Sequence, residues 1–247
     1  MILVTGASGT LGSAVVPRLV ADGHEVRPMS RRARPGWVAA DLLTGTGLRE
    51  AVEGVEAIVH LASSPTKTRG TDIEGTRRLL EAARAAGVRH VLYISIIGID
   101  RVPLSYYKIK LETEAVVRAS GVPFTVLRAA QFPSLIETLL RASSKLGPVL
   151  IDRRLVFQPV AVEDVADRIA ELLSGGATGA TEQIAGPERL TLEQLTKQWL
   201  EARHSRRPIW PIHIPGRFGR EIRAGALTTD ASPRGTRTWR DYLAGRY

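Results

Sequence analysis

Residues 2 to 12, Ile-Leu-Val-Thr-Gly-Ala-Ser-Gly-Thr-Leu-Gly, join an apolar β-forming run to three glycines placed every third residue. That spacing suits a phosphate group. Gly6 permits a tight strand-to-helix turn, Gly9 allows backbone to approach a pyrophosphate, and Gly12 allows the following helix to pack closely. A helix that begins at such a turn aims its first unpaired N–H groups and the positive end of its dipole at an anion, so no charged side chain is needed. A tight turn without a ligand is the alternative. Both flanking elements favour the ligand: Ile2 to Val4 are β-formers, and Leu11, Val15, Val16, Leu19 and Val20 recur at helical spacing.

The second feature with chemical content is Ser30-Arg31-Arg32, at the end of the next apolar run. An acidic residue there would bind the adenosine ribose diol of a dinucleotide and repel a 2′-phosphate. Two guanidiniums and a hydroxyl suit that phosphate by charge and by bidentate geometry, so NADP(H) is expected over NAD(H). A solvated basic loop is the competing reading. Asp41, after the third strand, is a candidate to accept from the adenine amine, or simply starts a turn.

These residues need elements to hold them. Strands are expected at Ile2 to Thr5, Glu25 to Met29, Trp37 to Ala40, Ala57 to Leu61, His90 to Ser95 and Phe124 to Arg128. Helices are expected near Thr10 to Ala21, Gly47 to Val52, Ile73 to Ala86 and Leu104 to Ser120, two of them closing on Gly87 and Gly121. Apolar strands alternating with helices predict an α/β fold, a doubly wound parallel (Rossmann) sheet with ligands beyond the strand C-termini. After Arg128 the rhythm loosens: a short helix, a break at Gly147-Pro148, a strand Leu155 to Val160, a helix Val162 to Leu173, a strand near Gln183 to Ala185, a helix Thr191 to Arg203 and a Pro-rich tail. Residues 1–130 are thus expected to form the dinucleotide-binding core, and 131–247 a small substrate lobe interleaved with late core elements. Substrate contacts are expected around Ser63 to Arg69, Ala130 to Leu150 and Trp210 to Phe218.

Composition narrows the classes further. The 247 residues are 44% hydrophobic, enough for a full core, and contain no cysteine, which excludes disulfides and thiolate chemistry within the chain. No apolar run reaches membrane-spanning length, and a cytoplasmic protein without a signal peptide is the expectation. The net charge is +9, but ten arginines against four acids from Glu201 to Tyr247 account for six of those charges. They stand singly among Trp, Pro and Gly, so no dedicated nucleic-acid surface is expected. His204 and His213 have no companions at metal-ligand spacing, and no metal site is read. Glu112 with Glu114, and Glu163 with Asp164, are expected to be surface helix acids, the second pair in a first turn where the helix dipole favours negative charge. His60, ending an apolar strand, is expected to be a satisfied core or near-cofactor histidine.

Several stretches together resemble the short-chain dehydrogenase/reductases: the glycine turn, His60-Leu61-Ala62, Gly75-Thr76 followed by Leu79-Leu80-Ala82-Ala83, and Tyr106-x-x-x-Lys110. Lys110-Leu111-Glu112, Ser120-Gly121-Val122-Pro123, Thr125-Val126-Leu127-Arg128, Gln131-Phe132, Val160 to Ala166 and Ala185-Gly186-Pro187-Glu188 resemble its atypical NmrA-like branch. The resemblance implies cofactor contacts from Gly6, Ser8, Gly9, Thr10, Leu11, Gly12, Ser30, Arg31, Arg32, Asp41, Leu42, Leu61, Ala62, Ser63, Lys110 and Phe132. It also implies catalytic roles. Tyr106 and Lys110, four apart, share one helix face; in such a family the phenol gives a proton to the substrate oxygen while the ammonium lowers the phenol's pKa and holds the ribose. Ser95 would orient the carbonyl. Two departures stand out: Ser95 is only eleven residues before Tyr106, and Asp72 stands where well-known members carry Asn.

The expected function is an NADPH-dependent reductase of a carbonyl, quinone or other conjugated small molecule. A non-catalytic dinucleotide sensor regulating a partner protein is the alternative, with an extended-type nucleotide-sugar epimerase less favoured because the substrate part is short. Oligomeric state is left open, a homodimer included.

Overall fold

Leu3, Val4, Ile58, Val59, Val91, Leu92, Val126 and Leu127 have no solvent exposure at all. Strands buried on both faces belong in a parallel sheet covered by helices on either side. The computed structural model, which describes residues 1–64, 69–145 and 147–247, shows such a sheet. In chain order its first half comprises β1 (Ile2–Thr5), α1 (Gly12–Ala21), β2 (Val26–Ser30), β3 (Val38–Ala39), α2 (Leu48–Val52) and β4 (Ala57–His60). A π-helical turn (Arg69–Glu74) then runs into α3 (Gly75–Ala85), followed by β5 (His90–Ile96), α4 (Ser105–Arg118) and β6 (Phe124–Ala129). The second half holds α5 (Pro133–Ser143), β7 (Val149–Ile151), β8 (Val156–Phe157), α6 (Val162–Gly175), β9 (Thr181–Ile184) and β10 (Leu190–Thr191). It ends with α7 (Leu192–Ala202), β11 (Ile209–Pro211), α8 (Gly216–Arg223) and α9 (Trp239–Ala244).

The chain divides into two compact units. The first comprises Met1–Ser95, Ser105–Arg128 and Val165–Glu182; the second comprises Ile96–Leu104, Ala129–Asp164 and Gln183–Tyr247. The seven-stranded sheet has the order β3-β2-β1-β4-β5-β6-β9, the doubly wound arrangement of a Rossmann fold. Pairings β1–β2, β1–β4, β2–β3 and β4–β5 are parallel, with Leu3 opposite both Arg27 and Ile58. The chain reverses its direction of travel between β1 and β4, and ligands of such sheets lie beyond the strand C-termini at that point. Below it, Leu3, Ile58, Val91 and Val126 form one core with Leu48 and Val52 of α2, Leu79 and Leu80 of α3, and Val117 of α4.

Several sequence expectations need revision. Helical conformation begins at Arg69 rather than Ile73, because the π-helical turn is built from polar residues that an apolar period cannot register. The strand expected over Leu155 to Val160 shrinks to Val156–Phe157, which pairs antiparallel with β10. The Pro-rich tail is structured: β11 pairs parallel with β7, and α9 carries a capping box between Thr238 and Asp241. Two of the acids expected at the surface are buried. Asp164 accepts from the Thr236 and Arg237 backbone N–H groups at 3.1 and 3.0 Å and pairs with the Arg237 guanidinium.

Glu114 is the other buried acid. With no solvent exposure, it accepts from Arg128 Nε and Nη2, each at 2.8 Å, from Arg118 Nη2 at 2.8 Å and from Ser95 Oγ at 2.6 Å. Burial pushes its carboxyl up, but the hydrogen bonds from Arg128, Ser95 and Arg118 outweigh it and leave the group below the usual carboxylate range. A depressed carboxylate stabilises the fold above its unfolded pKa and loses that contribution as pH falls through the folded value. Glu114→Gln leaves the largely buried Arg128 without its counter-charge. Urea titration at neutral pH should show a loss of about 3 kcal/mol, and the difference from wild type should narrow in acid.

Candidate functional site

The three glycines of the turn have different reasons to be glycine. Gly6 adopts φ +68°, and a Cβ there would lie 2.7 Å from the Ala62 backbone nitrogen. At Gly12, the first residue of α1, a Cβ would lie 2.4 Å from the Gly6 carbonyl oxygen and 2.6 Å from Ala7 Cα. Both are demanded by the fold. Gly9 is less constrained: its φ lies outside the left-handed region, and a Cβ would meet the Gly6 carbonyl oxygen at 3.2 Å, a tight contact that a shift of a few tenths of an ångström relieves. Its N–H donates to that same oxygen at 2.9 Å, closing the turn. Leu11, at the cap of α1, offers no side-chain acceptor to the first-turn amides.

A fixed floor lies under the turn. Thr5 Oγ1 accepts from the Ala62 N–H at 3.2 Å and meets His60 Nδ1 at 2.7 Å, while His60 Nε2 meets Thr76 Oγ1 at 2.9 Å. His60 is fully buried, which together with the charge on Lys110 lowers its pKa to about 3. A neutral imidazole donates through one nitrogen and accepts through the other. Both nitrogens are therefore engaged, and His60 is a core residue holding the ends of β1 and β4 in register.

Above this floor a cleft of about 920 Å³ is lined by Gly6, Ser8 and Gly9, by Met29 to Arg32 and Arg34, by Ala40 to Leu43, by Leu61 to Ser64 and by Thr71. Most of the residues singled out from sequence for cofactor contact line it: Gly6, Ser8, Gly9, Ser30, Arg31, Arg32, Asp41, Leu42, Leu61, Ala62 and Ser63. Thr10, Leu11 and Gly12 do not, because they form the turn into α1 behind it. Phe132 belongs to the second unit, as the cap of α5. Sequence reasoning missed Met29, Arg34, Ala40, Leu43 and Thr71, while Ser64 falls in a segment expected to contact substrate. Met29 and Ala40 immediately precede strand-end residues that were chosen, and Arg34 continues the same basic run, its guanidinium 5.0 Å from the centre of the Trp37 ring. Asp41 lines the cleft, and its Oδ1 accepts from the Leu43 N–H at 2.8 Å, the turn contact weighed as its alternative role. Of the segments expected to contact substrate, Pro65 to Thr68 and Leu146 lie outside the described residues.

The catalytic candidates are placed less uniformly. Tyr106 is half-buried, and its Oη lies 2.9 Å from Ser63 Oγ, at the cleft wall. Ser63 in turn donates to Asp72 Oδ1 at 2.5 Å, and the Ser64 N–H donates to Asp72 Oδ2 at 3.1 Å. Lys110 turns inward: it is 2% exposed, Nζ donates to the Ile94 carbonyl at 2.8 Å and lies 4.2 Å from the centre of the Tyr93 ring. Burial lowers its pKa to about 8, against the opposing attraction of Asp72 and Glu114. Ser95 is buried as well, its proton directed to Glu114. The arrangement links Ser63, which lines the cleft, to Tyr106 and to the buried Asp72, while Ser95 and Lys110 are buried on partners of their own.

Comparison with known proteins agrees with this geometry. Residues 6–175 match the NAD(P)H-binding family. A (4-alkanoyl-5-oxo-2,5-dihydrofuran-3-yl)methyl phosphate reductase of Streptomyces griseus is 32% identical over 212 residues, covering 80% of this chain and 72% of that one. Quinone oxidoreductase 2 of Escherichia coli is 28% identical over 213 residues, covering 80% and 73%. The crystal structure of an NADPH-dependent quinone oxidoreductase from Escherichia coli complexed with NADPH superposes with a TM-score of 0.84 at 22% identity over 99% of each chain, a likeness of fold. This chain is therefore a member of the NAD(P)H-binding family.

Proposed function

We propose that the protein is an NADPH-dependent reductase of a carbonyl, quinone or other conjugated small molecule. The observation that carries this reading is Gly9. Its own fold constrains it less than Gly6 or Gly12, whereas a pyrophosphate lying on its backbone requires glycine, so the cleft fits the cofactor at the position where a side chain would obstruct it. Arg31 and Arg32, exposed at the cleft edge beside Ser30, supply charge for a 2′-phosphate, which favours NADPH over NADH.

When bound, NADPH would supply a hydride; the chain must supply the proton and the orientation. Tyr106 is the donor in this reading, since its phenol stands at the cleft and burial keeps it protonated above its usual range. Lys110, clamped on the Ile94 carbonyl and the Tyr93 ring, fixes the turn of α4 that carries Tyr106. The relatives that act on a quinone and on an unsaturated furanone support a conjugated substrate, and residues 131–247 are assigned its selection.

Three measurements test the assignment. Gly9→Val should fold, by circular dichroism, yet bind NADPH more than roughly a hundredfold more weakly in calorimetry, equivalent to about 3 kcal/mol; wild-type affinity in the folded variant would remove the phosphate-turn reading. Arg31→Ala and Arg32→Ala should each cost about 1.5 to 3 kcal/mol of NADPH affinity where the guanidinium pairs with the phosphate, with little change for NADH. Unchanged preference in both would discard the NADPH assignment. Tyr106→Phe should lower kcat roughly 10²-fold, the scale of general acid catalysis, while leaving the Kd for NADPH nearly intact.

A further inference from the structure

Asp72 is a buried carboxylate at the site that the proposed chemistry leaves unused. It sits in the π-helical turn Arg69–Glu74 and is 1% exposed. Among the described residues two donors meet it, Ser63 Oγ at 2.5 Å and the Ser64 N–H at 3.1 Å. Ser63 Oγ is also 2.9 Å from Tyr106 Oη. A serine hydroxyl carries one proton and a carboxylate carries none. Because Asp72 takes the proton of Ser63, Ser63 can only accept from Tyr106, and the phenol must keep its own proton for that bond to exist.

We propose that Asp72, acting through Ser63, holds Tyr106 in its protonated form, making it a positioning residue that keeps the phenol loaded with its proton to higher pH than an amide at this position would. The inference rests on Tyr106 being the proton donor. In reduction the substrate oxygen takes the Tyr106 proton as its carbon takes up hydride from the proposed NADPH, and the phenolate left behind regains a proton from water. That phenolate stands one hydroxyl away from a buried carboxylate, and the intervening hydroxyl can donate to only one of them, so the protonated phenol is the form restored.

Among the described residues, the groups packed near the phenol do not offset this. Tyr107, its neighbour on α4, has its ring centre 6.4 Å away, and Tyr93 from β5 is a buried phenol. Lys110, one turn along, directs its ammonium to the Ile94 carbonyl and the Tyr93 ring. On the π-helical turn itself, Arg69 pairs with Glu112 at 3.3 Å and Glu74 with Arg77 at 3.5 Å, all four exposed. Burial raises the Tyr106 phenol; Ser63 could relieve this only by donating to it; and the charge of Asp72 adds to the rise. The departure from the Asn of related enzymes thus changes charge where the acid is poised.

The test separates the phenol's titration from turnover. Protein labelled with 3-fluorotyrosine, which titrates at lower pH than tyrosine, is followed by fluorine NMR, the Tyr106 signal being assigned by its loss in Tyr106→Phe. Asp72→Asn should lower the Tyr106 midpoint by about one pH unit, a tenfold change in the ionisation constant. Asp72→Glu, which keeps the charge, should restore most of the wild-type value. The basic limb of kcat/KM for quinone or carbonyl reduction should move down in Asp72→Asn by the same amount. An unchanged midpoint in a folded Asp72→Asn variant overturns the inference even if Tyr106→Phe abolishes turnover. A shifted midpoint with full turnover in Tyr106→Phe overturns the catalytic part of the inference by removing its premise, and the proton donor must then be sought elsewhere.

Discussion

No side chain fits between the carboxyl ends of β1 and β4. The backbone after β1 passes so near Ala62 that residue 6 must be glycine in a left-handed conformation, and α1 begins so close behind that residue 12 must be glycine too. This backbone contact determines much of what surrounds it. It brings the strand ends together at the reversal point of the sheet, places Gly9 over the opening, and leaves the start of α1 directed into a cleft whose other walls are the ends of β2 and β4. The Thr5–His60–Thr76 chain holds the contact from below without introducing a charge. An imidazole that stays neutral at neutral pH can satisfy two hydroxyls inside an apolar layer, which a charged group could do only at a large desolvation cost.

Charge is admitted a little further along the sheet, and there it is matched. Glu114 faces two arginines and a serine, so burying it is tolerable although not in itself stabilising relative to an apolar residue; what is costly is removing one partner. The cluster also fixes where nearby functional groups point. Ser95 turns its hydroxyl to Glu114, while Lys110 gives its ammonium to a backbone carbonyl at the end of β5. Spacing along α4 correctly puts Tyr106 and Lys110 near one face, but the lysine's length lets it reach into the sheet while the tyrosine reaches the cleft wall. A shared helical face therefore does not amount to a shared hydrogen bond.

This is where the sequence was and was not informative. The sheet and the glycine turn were legible because both are governed by local rules: apolar runs buried on two faces, and glycines where backbone meets backbone. The basic strand end was legible for a similar reason, since the residue following β2 must lie at the cleft in this topology. Glu114 and Asp164 were misjudged as surface acids, because Asp164 is satisfied by Arg237, 73 residues away, and Glu114 by Arg128 and Ser95 from neighbouring strands as well as by Arg118 on its own helix, and spacing alone does not show that such a group is buried. The same limit hid β7, three residues long, which exists through its pairing with β11.

Asp72 shows the limit and a way past it. Its identity was visible as a departure, an acid in place of an amide, but the sequence could not say whether that acid was solvated or aimed at the site. The π-helical turn settles this by carrying residue 72 inward at the start of α3, where its carboxylate has Ser63 and Ser64 as donors. An amide there could accept through its oxygen and donate through its nitrogen, leaving Ser63 free to give its proton to Tyr106. A carboxylate accepts only, and so dictates the direction of every hydrogen bond in the chain of hydroxyls that follows. The replacement of one nitrogen by an oxygen reaches the phenol two links away without altering the backbone or the number of contacts, because a serine has only one proton to give.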